Sequence, residues 1–314
     1  MHITSTATTS LLFCLLPRTN ALALALPSAK SVSSAPTFDL YKWLTTPDPS
    51  VPHSEYKYFF EAGYTATLNH YDARFFRSLV PYEEHGVALR HLIRSYLHVC
   101  RTTFGVQTWL AHGTLLGWWW NGRILPWDYD LDVQVSNATL SRLARDWNRT
   151  WHDYAYWDAA ERKEVRKTYL LDVNPFHGER TRLEGMNLID ARWIDVSNGM
   201  FVDITGLADR DGFVEDPTWG GGGRTGSGRY FGGDGDGEDV TEPVKKEERS
   251  GREKKGELDT YWSCKNYHRY NTRDLYPLRE TEFEGVTATV PYNFETVLTE
   301  EYGARCLVTT EWLG

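Results

Sequence analysis

The chain has 314 residues, of which 41% are hydrophobic, and it carries a formal net charge of -9 at neutral pH. That length is enough for one large domain or two modest ones with a sizeable core. Clustered Lys and Arg occur only in one low-complexity tract, which argues against a nucleic-acid groove and against nucleic acid as a partner. A phosphate group that binds to this acidic chain is therefore expected to arrive with a cation.

The N-terminal segment predicts entry into the secretory pathway. Residues 1–29 contain two short apolar runs and a small-residue A-x-A pattern, which are typical of a signal peptide, and residues 30–55 are interpreted as a spacer. The runs fall short of the roughly 20 apolar residues of a spanning helix, so a membrane anchor is the less favoured alternative. Asn137 and Asn148 lie in N-glycosylation triplets, which suit a luminal chain.

Composition divides the rest of the chain into three parts. Residues 56–216 have the texture of a globular domain, whereas residues 217–257 combine many glycines with mixed charge and predict a disordered insertion. Residues 258–314 regain aromatic and apolar character but are too short to bury a core of their own. We therefore expect this last part to continue the first domain.

Hydrophobic spacing predicts the first elements of the domain. Apolar residues recur at three- and four-residue steps over residues 83–100, which predicts a helix with one buried face and leaves His91 and His98 in solvent. Gly105 is expected to end that helix, and residues 106–112 are predicted to form a strand. Three cysteines remain after the signal, so the sequence allows at most one disulfide among Cys100, Cys264 and Cys306.

Alternating aspartates are the strongest sign of chemistry. Apolar and polar residues alternate over residues 130–135, which predicts a strand with one buried and one polar face. Asp130 and Asp132 would share the polar face about 6.6 Å apart, because a strand rises roughly 3.3 Å per residue. Two carboxylates at that spacing can hold a pair of divalent cations. Asp203 on another predicted strand is the expected third ligand, with Asp190 in reserve.

The turn before these aspartates predicts a phosphate-binding helix start. If residues 115–120 are helical, the free N–H groups and the Thr114 hydroxyl can hold a phosphate, and Gly113 permits close backbone approach. A strand, a Gly-Thr helix start and a strand with Asp-x-Asp follow the order of the nucleotidyltransferase fold. We expect an α+β fold, with a nucleotidyltransferase-like mixed β-sheet flanked by helices. The competing interpretation is that the aspartates only solvate or cap a strand end.

Several motifs in order resemble one known family. HGTLLG at residues 112–117 and ILPWDYDLDV at residues 124–133 resemble the signature of the LicD/fukutin family. Further segments resemble its fungal branch, which is associated with mannosylphosphorylation of cell-surface glycans: YLLDVNP, NLIDARWIDVSNGMFVDITGL and FEGVTATVPYNFETVLTEEYG. Family members transfer choline phosphate, ribitol phosphate or mannose phosphate from a nucleotide-diphosphate donor to a glycan hydroxyl.

The resemblance implies a role for each motif residue. It makes Gly113 and Thr114 contacts of the donor phosphates and Asp128 a supporting carboxylate, with Mg2+ or Mn2+ as cofactor. Trp120 stands where a basic residue is common in bacterial and animal members, so the donor pocket is expected to differ. The implied catalytic metal ligands are Asp130, Asp132 and Asp203.

Other side chains near these motifs keep two interpretations each. His112 can act as a general base or merely hydrogen-bond the loop. Arg192 can clamp a donor phosphate or pair with Asp190. The three tryptophans at residues 118–120 can stack on a ligand, although most are expected to pack in the core.

Three functions compete at this point. The leading hypothesis is a metal-dependent phosphosugar transferase of the secretory pathway, with the Golgi lumen favoured, that uses a nucleotide-linked sugar donor and a glycan acceptor. The second is an Asp-x-Asp glycosyltransferase that passes the sugar without its phosphate. The third is a non-catalytic glycan-binding or regulatory subunit of a mannosylphosphate transferase, which would work with a partner glycosyltransferase.

Overall fold

The computed structural model describes residues 57–179, 187–209, 260–266 and 268–309. The predicted signal peptide and spacer and the predicted glycine-rich insertion lie outside the described residues. No helix in these four ranges combines the length and the apolar character that crossing a membrane requires.

Five α-helices are present in the described residues. Short 3-10 helices lie at Leu68–His70, Pro175–Gly178 and Ala304–Leu307, and a π-helical turn spans Cys100–Phe104. The α-helices are α1 (Tyr82–Val99), α2 (His112–Asn121), α3 (Asn137–Asp146), α4 (Thr272–Leu275) and α5 (Phe294–Tyr302).

Ten strands accompany these helices in the same ranges. They are β1 (Trp109–Leu110), β2 (Asp132–Ser136), β3 (Thr150–Asp158), β4 (Lys163–Val173), β5 (Ala191–Asp195), β6 (Phe201–Asp209), β7 (Tyr261–Ser263), β8 (Arg269–Asn271), β9 (Arg279–Phe283) and β10 (Val286–Val290).

Eight of the described strands form one mixed sheet in the order β1-β2-β6-β5-β4-β3, with β7 paired to β6 and β8 paired to β7. β2 and β6 are parallel, whereas the other neighbours are antiparallel. β9 and β10 form a separate hairpin. The expected α+β class, a mixed sheet flanked by helices, is confirmed.

Helix α1 buries the face that its apolar spacing predicted, and Leu89, Leu92 and Ile93 are almost fully inaccessible. Gly105 follows the π-helical turn with a φ of 59°, a left-handed conformation that suits glycine. His98 is exposed as expected, but the prediction for His91 is wrong. Its ring is buried against the strand hairpin, where Nδ1 lies 2.6 Å from the Tyr156 hydroxyl.

The strand predicted over residues 106–112 is shorter than expected. Only Trp109–Leu110 pairs with β2, because His112 already begins α2 with a φ of 49°. The disulfide that the sequence allowed is not formed, and three free thiols lie in the described residues: Cys100, Cys264 and Cys306.

The segment that follows the predicted insertion packs on the same sheet. β7 extends β6 through the pairs Ala208↔Ser263 and Asp209↔Trp262. The β9–β10 hairpin covers α2, where Trp118 Nε1 donates to Thr281 Oγ1 at 3.1 Å. This segment therefore brings α5 next to the start of α2, which is where the sequence motifs lie.

Candidate active site

Two of the predicted ligands lie side by side on adjacent parallel strands. Asp132 at the start of β2 is the register partner of Asp203 on β6, and the Asp203 N–H donates to Leu131 O at 2.8 Å. Adjacent strands lie about 4.8 Å apart, so the two carboxylates project from neighbouring backbone positions. Leu131 and Val133 are fully buried on either side of Asp132, as the alternation predicted. The predicted strand is too long, however, because β2 begins at Asp132, so Asp130 lies in the preceding loop and not on the polar face of the strand.

The start of α2 packs directly against these aspartates. The Asp132 N–H donates to Thr114 Oγ1 at 2.9 Å. A Cβ atom added at Gly113 would lie 3.1 Å from Asp128 Oδ2, so the glycine lets the helix start approach that carboxylate. The first N–H groups of α2 have no carbonyl partner within the helix. The structure thus brings Gly113 and Thr114 together with the aspartates.

The carboxylates in this site disfavour one another's charge. Burial, followed by the influence of Asp130, raises the pKa of Asp128 to about 9, and the same two causes raise that of Asp132. Burial also raises the pKa of Asp203 to about 6, although Arg192 lowers it. A divalent cation would relieve this repulsion, since carboxylate oxygens are the preferred ligands of Mg2+ and suit Mn2+. The donor set therefore fits the implied metal.

The aspartates are not packed as one tight ligand set. In the described residues, two groups of three His, Asp or Glu side chains have possible metal-ligand atoms within 4.8 Å of one another. Asp130, Asp132 and Asp203 belong to neither group. Their wider spacing is compatible with ligands that straddle two cations rather than enclose one. The compact groups are His112, His268 and Glu301, and His91, Asp158 and Glu161.

Arg192 pairs with two carboxylates that neither interpretation of its role named. Its Nε donates to Asp203 Oδ1 and its Nη2 donates to Glu61 Oε1, both at 2.8 Å. The guanidinium carbon lies 3.7 Å from the Phe201 ring centroid and 4.7 Å from that of Phe59. The buried Nη1 atom has no hydrogen-bond partner in the described residues. Arg192 thus holds Asp203 in place and keeps one donor nitrogen unused.

Asp190, the reserve ligand, has a structural position. It is fully buried, and its Oδ1 lies 2.9 Å from the Nζ of Lys265, which is also fully buried. Its Oδ2 accepts the Gly206 N–H at 2.7 Å. Both oxygens are therefore engaged in holding β6 and the segment after Thr260 together.

His112 lies in a cluster that the sequence did not reveal. Its Nδ1 is 2.5 Å from Glu301 Oε1, and His268 Nδ1 is 3.0 Å from the same oxygen. Burial lowers the pKa of His112, but Glu301 and the aspartates outweigh it and raise that pKa to about 9. Burial likewise opposes ionisation of Glu301, yet His112 and His268 hold its pKa far below the usual value.

Sequence reasoning missed Glu61, Glu301 and His268. Glu301 lies near the end of the segment FEGVTATVPYNFETVLTEEYG, which resembles the fungal branch of the family. No local spacing connects it to His112, which lies 189 residues earlier. The tryptophans behave mostly as expected: Trp118 and Trp119 pack against the core and contact Phe294. Trp120 contacts Trp127 and donates to Thr309 O at 2.6 Å.

Residues 105–227 match the family model for the LicD/FKTN/FKRP nucleotidyltransferase domain. The chain carries a LicD-family domain. The resemblance inferred from HGTLLG and PWDYDLDV is thereby confirmed. The match begins at Gly105, directly after the π-helical turn, and includes α2, β2 and β6, so it covers every predicted ligand.

Two relatives from Saccharomyces cerevisiae are similar to this chain. Mannosyltransferase regulator 4 is 35% identical over 164 residues, which is 50% of this chain and 13% of the relative. Mannosyltransferase regulator 14 is 29% identical over 315 residues, which is 80% of this chain and 33% of the relative. The chain thus covers no more than a third of either relative, and both relatives are fungal proteins named as mannosyltransferase regulators.

Proposed function

We propose that this LicD-family chain transfers a phosphosugar, with mannose phosphate favoured, from a nucleotide-diphosphate donor to a glycan hydroxyl in the secretory pathway. The observation that carries this proposal is the pairing of Asp132 with Asp203 on parallel strands beside the start of α2. Carboxylates for a divalent cation and N–H groups for a phosphate then lie on the same side of the sheet.

Each side chain has a distinct part in this proposal. Asp130, Asp132 and Asp203 would hold Mg2+ or Mn2+, which neutralises charge on the phosphates when bound. The N–H groups at Gly113 and Thr114 would contact donor phosphate oxygens, and the Thr114 hydroxyl also fixes the start of β2. Asp128 would support the ligands from the loop next to Gly113.

Arg192 supports this site in two ways. Its Nε engages only Oδ1 of Asp203, so it restrains that carboxylate without occupying both oxygens. Its unpartnered Nη1 is the nitrogen that would serve a donor phosphate after a small rearrangement. The guanidinium also packs against the Phe59 and Phe201 rings, and these contacts favour the first role, in which Arg192 restrains Asp203.

A second candidate is a non-catalytic subunit of a mannosylphosphate transferase. It is favoured by the names of the two yeast relatives, both of which are called mannosyltransferase regulators. Under this alternative the aspartates would bind a metal and a nucleotide without turnover, and the chain would act on a partner glycosyltransferase.

Release of nucleoside monophosphate from GDP-mannose, CDP-ribitol and CDP-choline, with Mn2+ and a mannan acceptor, tests the proposal. We expect GMP release from GDP-mannose by the purified chain, loss of that release in Asp132→Asn, and no change in Asp146→Asn. Asp146 is a matched control because it lies exposed on α3 and pairs with Arg145. Nucleotide binding without release from any donor would favour the regulatory candidate.

A further inference from the structure

Three side chains from separate segments meet beside the aspartates. His112 begins α2, His268 lies between β7 and β8, and Glu301 lies in the last turn of α5. The centroids of the two imidazole rings are 4.3 Å apart. Glu301 Oε1 accepts from both Nδ1 atoms, at 2.5 Å and 3.0 Å, and from the Tyr270 hydroxyl at 3.2 Å. One carboxylate oxygen therefore organises three donors.

The hydrogen bonds determine which ring atoms are left for a ligand. A carboxylate only accepts, so each imidazole donates its Nδ1–H to Glu301, and a doubly protonated ring keeps its Nε2–H as a second donor for a phosphate oxygen. The Glu301 side chain is 10% exposed, and its Oε2 is buried without a hydrogen-bond partner in the described residues. The strong charge of this buried carboxylate holds the two rings in place.

The position of His112 links this cluster to the phosphate site. It directly precedes Gly113 and Thr114 at the start of α2, the end of a helix that favours an anion. The imidazole also interacts electrostatically with Asp130 and Asp132. A diphosphate seated at this helix end would therefore lie within the same group of residues as His112.

We propose that Glu301 is a positioning residue that fixes His112 and His268, so that their Nε2 atoms contact phosphate oxygens of a diphosphate ligand at the start of α2. The idea rests on the proposed function and extends it, because residues after the insertion then take part in donor recognition. The alternative is that His112, His268 and Glu301 together bind a single metal ion, and Zn2+ binding by the variants distinguishes this from phosphate binding.

The test uses inorganic pyrophosphate with Mg2+ and the full chain labelled with 15N-histidine. Variants are Glu301→Gln, His112→Asn and the double variant, and the matched control is Glu295→Gln, an exposed residue of the same helix. His112→Asn also assigns the His112 resonances. We expect pyrophosphate to shift the His112 Nε2 resonance in the wild type and in Glu295→Gln. Glu301→Gln should bind pyrophosphate at least about tenfold more weakly, the effect of losing a charge-assisted hydrogen bond.

Glu301 is proposed to act through His112 and His268, so once His112 is gone only its effect through His268 remains. The double variant is therefore expected to lose less affinity for pyrophosphate than the product of the two single losses, whereas independent effects would multiply. Where Glu301→Gln melts well below the wild type, His268→Asn replaces it, because that change leaves the Glu301–His112 pair intact. A smaller loss of affinity in His268→Asn, with the wild-type melting temperature, is then the supporting result.

Three results would overturn the proposal. They are a His112 resonance that pyrophosphate does not move, wild-type affinity in Glu301→Gln, and stoichiometric Zn2+ binding that Glu301→Gln abolishes. The last result would identify a metal site instead. Failure of the proposed function is recognised separately, because a chain that binds pyrophosphate through His112 but releases no nucleoside monophosphate refutes only the transferase. GMP release that is unchanged in Glu301→Gln refutes only the positioning role.

Discussion

Asp130→Asn removes one charge from the aspartate site and keeps the shape of the side chain. Asp130 is among the charges that raise the pKa values of Asp128, Asp132 and Asp203. Two like charges about 4 to 7 Å apart repel each other by roughly 2 to 4 kcal/mol at an effective dielectric constant of 20. Because part of the cluster is protonated at neutral pH, we expect the metal-free variant to gain only about 1 kcal/mol, or roughly 2 to 4 °C in melting temperature.

Mn2+ should reverse this order. At a concentration of 100 times its Kd, the ion stabilises the wild type by about 2.7 kcal/mol, which corresponds to roughly 5 to 10 °C. A hard divalent cation needs the carboxylate charge, so we expect affinity in Asp130→Asn to fall about 100-fold or more. The same Mn2+ concentration then stabilises the variant by about 0.4 kcal/mol at most. The variant should therefore melt above the wild type without Mn2+ and below it with Mn2+.

Differential scanning fluorimetry with and without Mn2+, together with calorimetric titration, measures both quantities. Asp146→Asn, on the exposed face of α3, should follow the wild type under both conditions. If the aspartates only cap a strand end, Asp130→Asn will instead melt lower without metal and will keep the full Mn2+ shift. That pattern would refute the metal-binding interpretation of the site.

The remaining predictions concern pH, glycine and the reserve aspartate. Burial raises the pKa of Asp203 to about 6, so below that pH Mn2+ must displace one proton more than it does above it, and the fall of Mn2+ affinity with decreasing pH should steepen by up to about tenfold per unit below pH 6, measured by titration calorimetry. Gly117→Ala should lower the free energy of unfolding by about 1 to 3 kcal/mol in urea, because its Cβ would lie 2.6 Å from Arg123 O. Gly113→Ala should unfold like the wild type but bind Mn2+ more weakly, because its Cβ presses on Asp128 Oδ2 at 3.1 Å. Asp190→Asn should cost about 3 to 5 kcal/mol because it removes the negative charge 2.9 Å from the buried Lys265 Nζ, yet the folded variant should retain Mn2+ binding.

Local periodicity was enough to predict the strands that carry Asp132 and Asp203, but it wrongly placed Asp130 on the first of them, because β2 begins only at Asp132. The alternation around Leu131 and Val133 gave the polar face of β2, and the same pattern around Asp203 gave that of β6. The side chains that complete the site come from distant segments. Arg192 reaches Glu61 across 131 residues and His112 reaches Glu301 across 189, and no spacing rule predicts such pairs.

The error at His91 has the same physical origin. The apolar spacing of α1 correctly marked one buried face, but the period of an isolated helix does not reveal what covers its other side. The β3–β4 hairpin does so here, and Tyr156 and Arg90 with Asp158 enclose the histidine with polar partners. Burial of a polar side chain thus depended on a tertiary contact that sequence periodicity does not contain.

Strand register explains why neither sequence interpretation of Arg192 was complete. On antiparallel strands the closest cross-strand neighbour is the register partner, and Arg192 on β5 lies opposite Asp203 on β6. Asp190, two residues away on the same chain, instead faces Lys265. The register therefore gives the third aspartate a fixed positive neighbour, which limits the repulsion among the carboxylates before any cation binds. Because Arg192 engages Oδ1, we expect a cation at this residue to be bound through Oδ2, and Arg192→Met should weaken Mn2+ binding by loosening Asp203 even though it removes a positive charge.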